Sequence, residues 1–133
     1  MTQLVLISHG KFCEGIKDSI EMIMGPQNNL FAVGLYEGED PEHYKKRLLN
    51  VVNKFNKFVI FADLVGGTPY NVAYRLLLSH KYNFELYTGM NLPMIIGFEN
   101  SQITKDAINI VNTAKEGIQQ IKPELRYESD DQF

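Results

Sequence analysis

Hydrophobic and polar positions alternate along the chain in two patterns. Short runs of apolar, β-branched and aromatic residues, mostly bounded by Gly, Asn or Asp, are typical of β-strands. Between these runs, apolar residues recur every three or four positions, which predicts amphipathic helices. The four predicted strands are LVLIS (4–8), LFAVGLY (30–36), FVIFAD (58–63) and FELYTG (84–89).

The predicted helices separate these strands. Asp40-Pro41 and Thr68-Pro69 predict two helix starts, because a side-chain oxygen can accept from free N–H groups and Pro loses nothing at the first helical position. Gly25-Pro26 predicts the end of the first helix. The apolar stripes are Cys13, Ile16, Ile20 and Ile23; Tyr44, Leu48, Val51, Val52 and Phe55; and Ile103, Ala107, Ile108, Val111 and Ala114, with a short helix over 91–98.

This order of elements predicts an α/β fold with a parallel sheet, right-handed crossovers and helices on both faces. Four strands in this pattern most often adopt the doubly wound, flavodoxin-like order 2-1-3-4. In that order the first and third strands are neighbours, and ligands bind at their carboxyl ends. We therefore expect one domain whose functional residues follow those two strands.

Composition narrows the function classes. The chain has 133 residues, 44% of them hydrophobic and 22% charged, and no apolar window of membrane-spanning length, as in water-soluble globular proteins. A net charge of -3 argues against nucleic acid or anionic lipid as a partner. The single cysteine, Cys13, excludes an internal disulfide, and the N-terminus lacks the features of a signal peptide, so the cytoplasm is expected.

Chemically reactive side chains follow the two central strands. The first strand ends at Ser8-His9-Gly10, and the third ends at Asp63, so an imidazole and a carboxylate are predicted to meet. A carboxylate beside one ring nitrogen fixes the tautomer and raises the basicity of the other nitrogen. His9 is therefore a candidate nucleophile and Asp63 the group that orients it.

The segment after Asp63 is predicted to bind an anion. Gly66 and Gly67 let the backbone approach a ligand, and the helix that starts at Thr68-Pro69 directs its N–H groups into the same crevice. Thr68 is predicted to be the N-cap and to contact a phosphoryl group through the same hydroxyl. No Lys follows the glycines, and no acidic pair ends the first strand, so phosphohistidine chemistry without nucleotide or metal is favoured.

Three motifs in order carry a resemblance to a known family: ISHGKFCEGI, FADLVGGTPYNVA and TGMNLPMI. Residues 3 to about 122 resemble the IIA component of the mannose-type phosphotransferase system (PTS), which includes fructose, sorbose, gluconate and N-acetylgalactosamine branches. The resemblance implies a carrier domain over residues 1–122 and a tail over 123–133 that ends in the unstructured ESDDQF.

The resemblance also implies roles and partners. His9 would accept a phosphoryl group at Nε2 from phospho-HPr and pass it to a separate IIB protein, with Asp63 at the other ring nitrogen. Gly66, Gly67 and Thr68 would bind the phosphoryl group, with no cofactor. Sugar selection would lie in the membrane components IIC and IID. The family is typically a homodimer that exchanges a C-terminal strand, for which the candidate is GIQQI (117–121).

Other interpretations of these residues stay open at this stage. Asp63 could cap a turn, and Gly66-Gly67 could be an ordinary tight turn. The whole chain could be a non-catalytic, flavodoxin-like module that binds a small anion or signals through it. Cys13 fits a small buried hydrophobe better than a nucleophile. His43 and His80 are expected on the surface, while Phe12, Val65 and Tyr70 are either a docking ring or ordinary packing.

Overall fold

A computed structural model describes residues 1–124 as an α/β fold in which strands and helices alternate. The strands are β1 Gln3–His9, β2 Leu30–Leu35, β3 Phe58–Ala62 and β4 Phe84–Tyr87. The helices are α1 Phe12–Met24, α2 Pro41–Val52, α3 Gly67–Leu78, α4 Leu92–Thr104 and α5 Ile110–Glu116. None of the helices within residues 1–124 is long and apolar enough to cross a bilayer. The predicted unstructured segment ESDDQF (128–133) lies outside the described residues.

The four strands form one parallel sheet in the order β2-β1-β3-β4, which confirms the predicted topology. β1 and β3 are the two central strands, and Leu4 to Ser8 of β1 and all of β3 are buried. Their near-continuous apolar sequence follows from this position, because helices cover both faces of a parallel sheet. The carboxyl ends of β1 and β3 therefore lie side by side at one edge of the molecule.

Side-chain alternation along β1 divides the core into two layers. Val5 and Ile7 pack on the face covered by α2 and α3, whereas Leu4 and Leu6 pack on the face covered by α1 and α4. The alternation follows from the two-residue period of a strand. It continues to the end of β1, so Ser8 lies on the α1 side and His9 on the α3 side.

Most helix boundaries follow the predicted signals. Asp40 caps α2 by accepting a 2.8 Å hydrogen bond from the His43 backbone N–H, and Pro41 is the first helical residue. Gly25 ends α1, as expected. The predicted stripe on α1 is wrong at its last member, since Ile23 is exposed while Cys13, Ile16 and Ile20 are buried.

The predicted helical stripe over residues 103–114 is wrong in its middle, since Ala107 and Ile108 lie in the non-helical segment 105–109. α4 starts at Leu92 and ends at Thr104, where Lys105 adopts a left-handed conformation with φ 65° and donates its N–H to the Ser101 carbonyl. A new helix then starts at Asn109, whose side chain accepts from the Asn112 N–H. Ala107 and Ile108 are exposed in the break, and α5 then packs against α4.

Candidate functional site

His9 is the last residue of β1, and half of its side chain is exposed (47%). Asp63 follows β3, and its backbone N–H donates to the Ile7 carbonyl across the two strands at 3.1 Å. This bond places the Asp63 side chain beside His9, although the two residues are 54 positions apart. The structure thus brings together the imidazole and the carboxylate that the sequence predicted at the ends of the central strands.

The Asp63 carboxylate holds His9 by two bonds. Oδ2 lies 2.8 Å from His9 Nδ1 and also accepts the His9 backbone N–H at 2.9 Å. Oδ1 accepts the Leu64 N–H at 2.9 Å. Burial by itself would raise the pKa of Asp63, but these hydrogen bonds outweigh it and lower the pKa below its ordinary value of 3.8. Asp63 is therefore ionised near neutral pH.

This charge state defines the tautomer of the neutral His9 ring. An ionised carboxylate only accepts hydrogen bonds, so Nδ1 must carry the hydrogen that it shares with Asp63. The lone pair of the neutral ring then lies on Nε2. Nε2 is the nitrogen that can attack an electrophile, with Asp63 in place to balance the positive charge that develops on the ring.

The backbone of Gly67 lies directly against the reactive side of the ring. A Cβ built on Gly67 would be 2.6 Å from both Cε1 and Nε2 of His9, so any larger residue here would displace the ring. Gly67 has φ 82° and Gly66 has φ 92°, which are conformations that other residues rarely adopt. Gly67 is also the first residue of α3, so Nε2 faces the N-terminus of that helix.

The N-terminus of α3 has no side-chain cap, and this corrects one prediction. Its N-cap is Gly66, and Thr68 lies inside the first turn instead of capping the helix. The α2, α4 and α5 helices are capped by Asp40, Asn91 and Asn109. Free N–H groups and the positive end of the helix dipole favour an anion at α3. Among residues 1–124, no cluster of His, Cys, Asp and Glu is arranged to hold a metal ion.

Exposed apolar side chains follow His9 and Asp63 closely in the chain. Phe12, Leu64 and Val65 are exposed, while Tyr70 is half-buried and stacks on Tyr74 with 5.7 Å between ring centroids. Solvent-exposed apolar groups around a polar centre are typical of surfaces that bind other proteins. Phe12 and Val65 therefore fit the docking interpretation better than the packing one. Cys13 is buried, as predicted for a small hydrophobe.

Two features of the described structure were missed by sequence reasoning. Ser8 is buried, and its hydroxyl accepts the Cys13 N–H at the start of α1. His43, Glu39 and Arg47 form a network in which Glu39 binds both other side chains. The four-residue spacing of Glu39 and His43, and of His43 and Arg47, was a signal for contact at the start of α2, although Glu39 itself precedes the N-cap Asp40. The serine gave no comparable signal, because a hydroxyl at a strand end has many possible partners.

Comparisons with known proteins agree with this geometry. A family profile described as "EIIA-man: PTS system fructose IIA component" matches residues 3–115. The chain is 31% identical to the fructose-specific EIIA component of Bacillus subtilis (strain 168), over 72% of this chain and 67% of that protein. It is 27% identical to the mannose-specific EIIAB component of Escherichia coli (strain K12), where it covers 90% of this chain but only 39% of that protein.

Solved structures give the same result. A phosphotransferase system component EIIA from Streptococcus agalactiae is 25% identical and superposes with a TM-score of 0.82, covering 90% of this chain and 97% of that one. A mannose/sorbose-specific IIA subunit from Enterococcus faecalis is 26% identical, with a TM-score of 0.76 and coverage of 94% and 98%. The similarity therefore extends over nearly the whole described fold and includes the ends of β1 and β3.

Proposed function

This chain belongs to the mannose-type family of phosphotransferase system IIA components, and on that premise we propose that His9 is the residue that carries the phosphoryl group. As a member of the family, the chain is a phosphoryl carrier in a relay that serves sugar uptake. One observation supports the assignment to His9 above all others. Its Nδ1 is bonded to ionised Asp63, while its Nε2 faces the uncapped start of α3.

The proposed transfer begins with attack by the His9 Nε2 lone pair on the phosphorus of phospho-HPr. A new Nε2–P bond forms as the N–P bond of the donor breaks, and the electron pair of that bond returns to the donor nitrogen. The His9 ring keeps its hydrogen on Nδ1 and becomes positively charged, which the Asp63 carboxylate balances. In the onward step the Nε2–P bond breaks as a histidine of IIB attacks the phosphorus and forms a new N–P bond, and the electron pair of the broken bond returns to Nε2.

The phosphoryl oxygens would be bound at the start of α3. Free N–H groups of the first turn and the positive end of the helix dipole supply attraction without any side-chain charge. Gly66 and Gly67 allow the backbone to reach the group, and the Thr68 hydroxyl is placed in the same first turn. Each of these three residues is therefore proposed to contact the phosphoryl group. This arrangement works by position and electrostatics.

The proposed partners follow from the family. HPr is the donor, a separate IIB protein is the acceptor, and the membrane components IIC and IID act later in the relay. Phe12, Leu64 and Val65 are exposed and follow His9 and Asp63 closely in the chain, and they are proposed to form the surface on which both carriers dock in turn. We place this relay in the cytoplasm and assign the carrier domain to residues 1–122.

The alternative function, a module that only binds a small anion, is less well supported. Such a module encloses its ligand, because affinity for a small molecule depends on burying most of its surface. His9 instead exposes 47% of its side chain beside exposed apolar residues. An open ring is what a carrier needs, since it must react with two different proteins.

We further propose a homodimer in which residues 117–121 pair with the partner's sheet. Within the single chain, residues 118–124 form neither helix nor strand, and Ile118 and Ile121 are exposed at 77% and 79%. The β4 strand lies at an edge of the sheet and offers unpaired backbone groups to an added strand. Ile118→Asp should shift the species measured by light scattering from dimer to monomer. A dimeric variant would contradict the exchange.

Phosphorylation by labelled phospho-HPr tests the role of His9. The wild-type chain should take up one acid-labile phosphate, and His9→Ala should take up none. His43→Ala is the matched control, because the His43 ring also holds a carboxylate through Nδ1. That variant should be labelled like the wild type. Acid-labile phosphate on His9→Ala would overturn the assignment.

A further inference from the structure

Ser8 is a buried polar residue immediately before His9. Its position in β1 pairs with Gly34 of β2, and its side chain lies on the α1 side of the sheet. Polar side chains are buried at a cost unless they form hydrogen bonds, so the contacts of this hydroxyl need a physical account. They connect the strand end to the helix that follows it.

The Ser8 hydroxyl closes the turn between β1 and α1. Its Oγ accepts the Cys13 backbone N–H at 2.8 Å and donates to the Gly10 carbonyl at 3.4 Å. The N-cap of α1, Lys11, makes no side-chain cap, so Ser8 supplies the acceptor that a capping residue would otherwise give. The turn that follows His9 is therefore held by the residue that precedes it.

The same turn also contacts β2. The Gly10 N–H donates to the Leu35 carbonyl at 2.8 Å, and a Cβ built on Gly34 would lie 2.1 Å from the Gly10 carbonyl oxygen. This close approach leaves the turn little room on the β2 side. Ser8 binds the Gly10 carbonyl and the Cys13 N–H of the same turn, so the backbone that follows His9 is restrained both by β2 and by the Ser8 hydroxyl.

We propose that Ser8 is a positioning residue for phosphoryl transfer, which holds the β1–α1 turn so that His9 keeps both its bonds to Asp63 and its contact with Gly67. The inference rests on the proposed role of His9. It goes beyond that role by assigning the geometry of the acceptor to a hydroxyl that does not touch the reacting atoms. Displacements of about 1 Å can slow a reaction by about 100-fold, so a small movement of this turn is enough to matter.

If Ser8 only capped α1, its loss should affect stability but not phosphoryl transfer. A variant that removes a helix cap elsewhere separates this possibility from a positioning role. Asn109 caps α5 by accepting the Asn112 N–H at 2.9 Å and is exposed. Asn109→Ala removes a helix cap that makes no contact with the His9 turn. Ser8→Ala removes a cap and the turn restraint together. Ser8→Thr keeps the hydroxyl and serves as the rescue.

The experiment measures transfer from phospho-HPr and the ¹⁵N signals of the His9 ring, at a temperature where circular dichroism shows each variant folded. Ser8→Ala should react at least about 10-fold more slowly, and its ring should lose the single Nδ1–H tautomer. Ser8→Thr should restore both the rate and the signals, and Asn109→Ala should match the wild type in both. If Ser8→Ala does not fold, Ser8→Cys takes its place with the same expectation, because a thiol is only a weak acceptor.

Three results would overturn the proposal: a wild-type rate with a wild-type ring spectrum in Ser8→Ala, no rescue by Ser8→Thr, or equal slowing by Asn109→Ala. The proposed function fails separately. It fails if the wild-type chain takes no phosphate on His9, whatever the behaviour of the Ser8 variants.

Discussion

Two histidine–carboxylate pairs lie within residues 1–124, and comparing them shows why we propose only one of them as the phosphoryl acceptor. His9 Nδ1 lies 2.8 Å from Asp63 Oδ2, and His43 Nδ1 lies 2.5 Å from Glu39 Oε2. Both carboxylates are well covered, with 11% and 3% of the side chain exposed, and both rings are open, at 47% and 61%. By pair geometry alone the two histidines are alike.

The surroundings of each pair differ. Glu39 is also bound by Arg47 through Nε and Nη2, at 2.8 and 2.7 Å, so its charge is already balanced. The Arg47 bonds outweigh burial and, with further hydrogen bonds, lower the pKa of Glu39 to about 2. His43 lies in the first turn of α2, and its backbone N–H already donates to the side chain of the N-cap Asp40. The proposed acceptor thus differs from His43 in two ways: no Arg side chain binds its carboxylate, and it faces a helix start without a side-chain cap.

The largest expected effect comes from filling the space beside His9. Gly67→Ala should slow phosphoryl uptake by about 100-fold or more, because the added methyl group displaces the ring from the start of α3. Gly66→Ala is the control, since Gly66 has a similar positive φ but open space at its Cβ position. Initial rates with phospho-HPr give the measurement. Equal rates for the two variants would show that the ring contact does not matter.

Removing the charge next to His9 should have the second largest effect. Asp63→Ala should slow uptake by about 10- to 100-fold with the fold intact, as for other groups that orient a reactive side chain. Asp63→Asn, which keeps an acceptor oxygen without the charge, should fall between that variant and the wild type. Glu39→Gln should react like the wild type. Full-speed transfer by Asp63→Ala would leave the orienting role without support.

The acid stability of the protein should depend on Glu39, whose pKa is lowered mainly by its hydrogen bonds to Arg47. The pKa of Glu39 is about 2 in the folded chain against an ordinary 4.5, so the unfolded chain takes up a proton first as the pH falls. Stability should therefore be full above the ordinary value and decrease as the pH falls towards about 2. Glu39→Gln should flatten this loss in urea unfolding. A remnant should persist, because the pKa of Asp63 is lowered as well.

The smallest effect is expected from uncovering the helix beside His43. Asp40→Ala removes the α2 cap and should lower the free energy of unfolding by about 1 kcal/mol, measured by urea denaturation. Phosphate uptake should stay at one per chain, because Arg47 still balances Glu39. A second phosphate on the Asp40→Ala variant would mean that the missing cap alone decides which histidine reacts.

The main features of the fold and the site were predictable from the sequence because they depend on patterns that repeat along it. Apolar runs defined the four strands, and strand–helix alternation gave the order in which β1 and β3 are neighbours. That order brought His9 and Asp63 together without any knowledge of distance. The glycines after Asp63 indicated a close backbone approach, which Gly67 makes against the His9 ring.

Other features depended on contacts that no local pattern encodes. Threonine is a common N-cap residue, so Thr68 was predicted to cap α3. The N-cap is instead Gly66, two residues earlier, with φ 92°. Lys105 ends α4 in a left-handed conformation that favours Gly or Asn, so its sequence gave no stop signal. Ser8 accepts the Cys13 N–H only because the turn after His9 brings the start of α1 back against the end of β1. Each of these depends on tertiary geometry.

Ser8 and His9 point to opposite faces of the sheet at the end of β1, and this restricts insertions and deletions in the strand. The hydroxyl of Ser8 faces α1 and the ring of His9 faces α3 because a strand turns by half a revolution per residue. Adding or deleting one residue within β1 would exchange the two directions, placing the imidazole among the buried side chains under α1. Substitutions can test individual side chains here, but the number of residues in β1 decides which face of the sheet the His9 ring lies on.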